Sequence, residues 1–145
     1  MKQKIDSSQI TDYFLSYLKT LDKKQWEVKI TNKWDVHDTV AHIVGWLEEV
    51  SNILPKSWEN KEEPWFMKTD DYAQFNQKNV EKYKNLKPTD LISKYVELNN
   101  KLNILIDKIG EKNIKLDQRF RWVLDDGENN HELYHFNQIK EKLET

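Results

Sequence analysis

The chain has 145 residues, of which 33% are charged, and its formal net charge is −2. This length predicts a single domain over residues 1–145. The near-neutral charge argues against a nucleic-acid partner, which normally needs a basic surface. Because the chain has no cysteine, disulfides, thiolate metal sites and cysteine nucleophiles are excluded. Any thiol chemistry would need a thiol from outside the chain.

The N-terminal stretch MKQKIDSSQITDYFLSYLKTL has no uninterrupted apolar segment and no small-residue cleavage site. A signal peptide is therefore not expected. No apolar run approaches the roughly 20 residues that are needed to span a bilayer. We expect a soluble cytoplasmic protein without a membrane partner.

Helical periodicity appears first near the N-terminus. The stripe of the first predicted helix has Asp6, Ser7 or Ser8 as candidate N-caps and consists of Ile10, Phe14, Tyr17 and Leu21. The second predicted helix follows an acidic first turn, with Asp35 and Asp38, and its stripe consists of Val36, Val40, Ile43, Leu47, Val50 and Leu54. Pro55 is expected to end it, and residues 56–68 are expected to form a loop.

Three further segments complete the predicted architecture. A third helix is expected over residues 70–83, and a fourth begins at Pro88 and stops at Gly110. Residues 114–127 are ambiguous, and a last helix is expected over residues 128–143. Heptad stripes on helices joined by moderate linkers predict an all-α protein, an antiparallel four-helix bundle with a short accessory helical segment.

Three of the four histidines have a spacing that suits a shared metal ion. His131 and His135 are four residues apart, so on a helix both imidazoles project from one face. His42 lies beside the apolar stripe of the second predicted helix. Three protein ligands with one open position are typical of a catalytic metal site, and imidazole suits Zn, Ni, Fe or Cu. Surface histidines also show this spacing, so both interpretations stay open.

Acidic and aromatic residues near this trio are secondary candidates. Glu49, Glu128 and Asp38 could each be a general base, a further ligand or a hydrogen-bond partner of a ligand. Each could equally be a solvated surface carboxylate. The fourth histidine, His37, is interpreted as a surface residue, and Tyr134 should point away from the neighbouring histidines.

Two tryptophans, Trp58 and Trp65, fall in the predicted loop over residues 56–68. A loop with two large aromatic side chains could be a lid over an apolar substrate. An ordinary packed loop is the alternative.

The order of these motifs resembles the DinB-like superfamily of four-helix bundles. The resemblance covers roughly residues 6–143 and rests on KWDVHDTVAHIVGWLEE, which carries His42 and Trp46, and on HELYHFNQI, which carries His131 and His135. It implies an up-down-down-up bundle in which the three histidines hold a divalent metal, with Zn or Ni as the expected ions.

The same resemblance implies two kinds of activity. Some similar proteins are metal- and thiol-dependent transferases that use bacillithiol, mycothiol or glutathione, and others protect the cell by hydrolysing or binding a genotoxin. The expected function is therefore that of a hydrolase or thiol-dependent transferase acting on a small electrophile. The alternatives are a non-catalytic protein that sequesters a small molecule and a bundle whose role lies in forming a homodimer.

Overall fold

The computed structural model describes residues 7–110, 120, 122 and 130–145. Within these residues the chain forms α-helices and one short 3-10 turn, and it contains no β-strand. The helices are α1 (Ser7–Lys19), α2 (Lys23–Trp26), α3 (Val36–Glu59), α4 (Ala73–Tyr83), α5 (Pro88–Ile109) and α6 (His131–Leu143), and the 3-10 turn is Trp65–Met67. The all-helical prediction is confirmed for this part of the chain.

The first helix buries a slightly different stripe from the predicted one. Ile10, Phe14 and Leu18 are fully buried, whereas Leu21 lies beyond the end of α1 and is half-buried. The short α2 was not predicted. It begins at a capping box in which the Asp22 side chain accepts a hydrogen bond from the Gln25 backbone.

The long helix α3 begins where its capping residues predict and ends later than expected. Asp35 caps it and forms a reciprocal capping box with Asp38. The prediction that Pro55 ends this helix is wrong, because α3 continues to Glu59. A proline inside a helix costs about 3 kcal/mol through a lost hydrogen bond and a steric clash. Beyond the proline, Trp58 packs against the hydrophobic core, and this packing offsets that cost. The predicted loop therefore loses its first four residues to α3 (56–59).

A glycine sets the close approach of α3 and α4. A Cβ atom placed on Gly45 would overlap the side chain of Asn79, so no larger residue fits without movement of α4. Asn76 lies three residues before Asn79 and is brought against Trp46, whose indole N–H donates to its Oδ1 over 2.8 Å. Close packing at one glycine therefore fixes a polar side chain of α4 near the middle of α3.

The remaining helices follow their sequence signals closely. α5 spans Pro88–Ile109 as predicted, and Gly110 follows it with a φ of 99°, in the region that favours glycine. α4 begins at Ala73 rather than at residue 70. α6 begins at His131, where the Asn130 side chain accepts a hydrogen bond from the Leu133 backbone.

The packing places α3 at the centre of the described structure. α3 contacts α2, α4, α5 and α6, and α1 contacts α5 and α6. Among the described residues, no helix combines the length and the apolarity that crossing a membrane requires. The contact between α3 and α6 is the one that matters for the site, because these two helices carry the three candidate ligands.

Candidate metal centre

The three predicted ligands meet between α3 and α6. His42 lies in the second turn of α3, and His131 and His135 lie in the first two turns of α6. The Nε2 atoms of His42 and His131 are 3.0 Å apart. The ring centroids of the three pairs are 4.7–4.9 Å apart, and one nitrogen from each ring lies within 4.8 Å of the others. Residues separated by about 90 positions in the chain therefore form one cluster of imidazoles.

The cluster is more deeply buried than its predicted position beside the apolar stripe suggested. His42 is 4% exposed and His135 is 8% exposed. The indole of Trp34 lies 4.8 Å from the His42 ring, and that of Trp122 lies 5.4 Å from the His131 ring. Neighbouring aromatic side chains and helix packing thus exclude much of the solvent from these imidazoles.

Hydrogen bonding leaves lone pairs within the cluster. One Nε2–H can donate across the 3.0 Å contact between His42 and His131, and the second nitrogen of that pair must accept. Among the described residues, Nδ1 of His42 has no hydrogen-bond partner although it is buried. A buried polar atom without a partner is costly. An ion bound at the facing Nε2 atoms would replace the proton between His42 and His131 and would accept a lone pair from each ring. Nδ1 of His42 would then carry the proton of that ring.

One candidate ligand, His135, is oriented by a side chain of its own helix. Nδ1 of His135 lies 3.2 Å from Oε1 of Gln138, and because a carbonyl oxygen only accepts, the imidazole donates through Nδ1–H. This assignment leaves the lone pair of His135 on Nε2. Histidine ligands of metal ions commonly use one nitrogen for such a hydrogen bond and the other for the metal.

Burial keeps all three imidazoles in the form that binds metals. Burial lowers the pKa of His42 from 6.5 to about 3, and a nearby positive charge on His135 would lower it further, while the Asn76 side chain acts in the opposite direction. Burial also lowers the pKa of His131 well below 6.5, helped by the other two rings. The pKa of His135 is lowered by burial, against the effect of its bond to Gln138. All three are therefore neutral at pH 7.

The donor set and its spacing fit a transition-metal ion. Two imidazole nitrogens on a tetrahedral Zn²⁺, each at about 2.0–2.1 Å, are roughly 3.3 Å apart. The Nε2 atoms of His42 and His131, at 3.0 Å, need to move only slightly to reach that separation. Three neutral nitrogens without a thiolate suit Zn, Ni, Cu or Fe and do not suit Mg or Ca, which prefer oxygen ligands.

Two of the predicted carboxylates, Glu49 and Asp38, do not belong to this cluster of ligand atoms. Glu49 is half-buried, and its Oε1 accepts a hydrogen bond from the indole N–H of Trp65 over 3.4 Å. Glu128 lies outside the described residues. Asp38 belongs to the capping box of α3, and burial raises its pKa. A catalytic role for Glu49 and Glu128 stays a prediction.

Two other residues that the sequence placed near the trio, His37 and Tyr134, lie outside the histidine cluster. His37 is half-buried, not a free surface residue, and its Nε2 lies 2.8 Å from the backbone oxygen of Leu86. Tyr134 is 61% exposed, as its direction on α6 predicts. Neither belongs to the cluster.

A buried carboxylate that the sequence pattern did not single out lies next to the site in sequence. Glu132 accepts hydrogen bonds from the Tyr95 hydroxyl at 2.7 Å and from the Thr11 hydroxyl at 3.3 Å. Burial raises its pKa, and the two hydroxyls act against that effect. A glutamate at the position after a candidate ligand was a weak signal, because acidic residues are common in this chain.

A pocket of about 330 Å³ opens beside the histidines. Two of them form part of its wall. The described residues of that wall are His42, Trp46, Phe66, Met67, Tyr72, Asn76, Trp122 and His131. The predicted tryptophan lid takes a different form, since Trp58 belongs to α3 and Trp65 stacks on Trp46 with centroids 5.7 Å apart. Both tryptophans pack against the hydrophobic core, which agrees with the alternative of an ordinary packed segment. The sequence pattern missed Asn76 and Phe66, which no helical stripe connects to the histidines.

Comparison of the chain with models of protein families, with curated proteins and with solved structures finds no match. The geometry of the three histidines and of the adjoining pocket is therefore what any assignment of function must rest on.

Proposed function

We propose that this protein is a metal-dependent enzyme that acts on a small electrophile through a divalent ion held by His42, His131 and His135. Zn and Ni are the ions that we favour. The reaction class is hydrolysis or transfer to a low-molecular-weight thiol. A divalent ion in such a site supplies Lewis acidity, which lowers the pKa of a bound water or thiol and so provides a nucleophile near neutral pH.

One observation carries the proposal. Three imidazoles from two helices place nitrogens within 4.8 Å of one another, and burial lowers the pKa of each. A single Nε2–H between His42 and His131 cannot engage the lone pairs of all three rings, and buried lone pairs without a partner are unfavourable unless something binds to them. The adjoining pocket gives a substrate access to the same nitrogens.

The resemblance of the sequence motifs to those of DinB-like proteins supports the same proposed function. We propose an up-down-down-up antiparallel bundle built around α3 and α5, with a small-molecule substrate as the partner. The contacts of α3 with α4, α5 and α6 agree with such a bundle.

The test is metal stoichiometry in protein purified without a histidine tag. After reconstitution with Zn²⁺ and removal of excess ion, the wild type should retain about one equivalent, as a three-histidine site requires. His42→Ala should retain little. His37→Ala is the matched control, because it removes a histidine of the same helix that lies outside the cluster. Retention of less than about 0.2 equivalents by the wild type, or no difference between the two variants, would overturn the proposal.

The pocket favours a second candidate function, the sequestration of an apolar ligand without chemistry. Its described wall is mostly aromatic, which by itself suits ligand binding. A ligand that stabilises the protein equally after chelation of metal and in the triple variant His42→Ala/His131→Ala/His135→Ala would favour this alternative. Loss of stabilisation in both cases would favour the enzyme.

A further inference from the structure

The described wall of the pocket beside the histidines comes from five separate parts of the chain, one of which is α6 with His131. Trp46 comes from α3, Phe66 from the 3-10 turn, Asn76 from α4, and Trp122 from the chain between α5 and α6. His42 and His131 belong to the same wall. A molecule in this pocket therefore contacts both the aromatic wall and the candidate ligands.

The aromatic part of the wall is packed and preformed. The ring of Trp46 lies 5.8 Å from Phe66, 5.7 Å from Tyr72 and 5.2 Å from Trp122, each in an edge-to-face arrangement. Such contacts hold neighbouring rings in favourable geometry. The Tyr72 hydroxyl donates to the backbone oxygen of Phe66 over 2.8 Å, so its proton is already used within the protein. The wall offers rings more than it offers free polar groups.

One amide supplies the polar contact of the pocket besides the histidines. The indole N–H of Trp46 is only a donor, so the atom of Asn76 that it contacts at 2.8 Å must be the oxygen. This bond fixes the orientation of the amide and leaves its N–H₂ group as a donor. The described residues of the wall include no Lys, Arg, Asp or Glu.

We infer that the pocket takes a small molecule with an uncharged aromatic body and one polar metal-binding group at the end that reaches the histidines. The aromatic wall buries the body, and the Asn76 amide can donate to the polar group. A cationic body is disfavoured because a divalent ion in the site would repel it at short range. A carboxylate at the end of the body opposite the metal-binding group would lie farther from the ion, and it would lose hydration without an opposite charge from the described wall. This inference rests on the proposed metal function and specifies its substrate class.

Three hydroxamates with the same metal-binding group separate the effects of the body. Binding of benzohydroxamate, acetohydroxamate and para-carboxybenzohydroxamate to the Zn-loaded protein is measured by calorimetry, with metal retention checked afterwards. Benzohydroxamate should bind at least about tenfold more tightly than acetohydroxamate, since its ring removes apolar area from water. It should also bind at least about tenfold more tightly than the carboxylated compound. Equal or tighter binding of either competitor would overturn the inference.

A probe without a metal-binding group separates this inference from the proposed function. Toluene is titrated into the metal-free protein while the indole N–H signals of Trp46 and Trp122 are followed by NMR. Saturable shifts of these signals would support the binding of an aromatic body in the pocket even if no metal ever binds. The absence of shifts would overturn this inference even if metal binds well.

Two substitutions of one wall residue compare a charged side chain with a neutral one of nearly the same shape. Met67 lines the pocket and is 44% exposed, so substitution there should leave the fold intact. Met67→Glu should weaken benzohydroxamate binding by roughly fivefold or more relative to the nearly isosteric Met67→Gln. Equal affinities of the two variants would contradict the placement of the ligand.

Discussion

Two consecutive residues of α6 face different polar environments. His131 joins a group of three imidazoles in which Nδ1 of His42 has no partner among the described residues. Glu132, rotated by about 100° around the helix, accepts hydrogen bonds from the Tyr95 and Thr11 hydroxyls. In the first cluster a single Nε2–H lies between two facing nitrogens, whereas in the second cluster the acceptor is matched with donors.

This difference in hydrogen bonding suggests a binding role for the histidine cluster and a structural role for Glu132. A buried carboxylate with two hydroxyl donors stabilises the packing of α1, α5 and α6 and needs no further partner. The facing nitrogens of the three neutral imidazoles can all be engaged when a cation enters between them. We therefore expect substitutions in the first cluster to change metal binding and substitutions in the second to change the stability of the fold.

Glu132→Leu should have the largest effect on stability. The change removes the carboxylate that accepts from the buried Tyr95 hydroxyl, and a buried donor that stays unpaired costs about 1–3 kcal/mol. Urea denaturation measures the loss, with Glu132→Gln as the control that keeps an acceptor. Zinc stoichiometry should be unchanged. Loss of metal at unchanged stability would reverse the roles assigned to the two clusters.

Acidification should affect the two clusters in opposite directions. In the metal-free protein the pKa of His42 is lowered from 6.5 to about 3, so below pH 6.5 the unfolded chain takes up a proton that the folded chain does not. Stability should therefore fall by about 2 kcal/mol between pH 7 and pH 5 from His42 alone. The raised pKa of Glu132 has the opposite sign, since its protonated form is favoured in the folded state.

Denaturation curves of His42→Leu test this prediction. Its stability should change less between pH 7 and pH 5 than that of the wild type, by about 2 kcal/mol. An identical pH dependence in the two proteins would mean that His42 is not buried in its neutral form.

Gln138→Leu should weaken metal binding without removing a ligand. Gln138 accepts from Nδ1 of His135 at 3.2 Å, and loss of such an orienting bond typically lowers metal affinity by roughly ten- to a hundredfold. Competition with a chromogenic chelator measures the change. Asn137→Leu is the control, because Asn137 is the adjacent exposed residue of α6. If both variants bind equally well, the bond does not orient the ligand.

Tyr134→Ala should have the smallest effect. The ring of Tyr134 lies 5.2 Å from that of His135, but the side chain is 61% exposed. Its removal should change stability by no more than about 0.5 kcal/mol and should leave zinc affinity unchanged. A clear loss of affinity would extend the site to the outer face of α6.

The structural features that were predictable from the sequence have local signals in it. Pro88 and Gly110 delimit α5, and Asp35 with Asp38 marks the start of α3. The histidine trio was also predictable, because its spacing on two helices and the order of the surrounding motifs both indicated it.

The remaining features depend on contacts between distant residues. Helix α3 passes Pro55 because packing of the turns around it outweighs a local preference. The place of Asn76 follows from the close approach of Asn79 to Gly45, which no periodicity reveals. The depth of His42 likewise depends on Trp34 and on α6. Such features arise only when several elements have packed together.

X-ray absorption spectroscopy of the zinc-loaded protein identifies the ligands of the bound ion. A zinc ion held by His42, His131 and His135 should show three imidazole nitrogens at about 2.0–2.1 Å and one exchangeable ligand, such as water. Loss of one imidazole from this shell is expected in His131→Ala, and the full shell is expected in His37→Ala. A shell of oxygen ligands, or one that is the same in both variants, would contradict the assignment of His42, His131 and His135 as a metal centre.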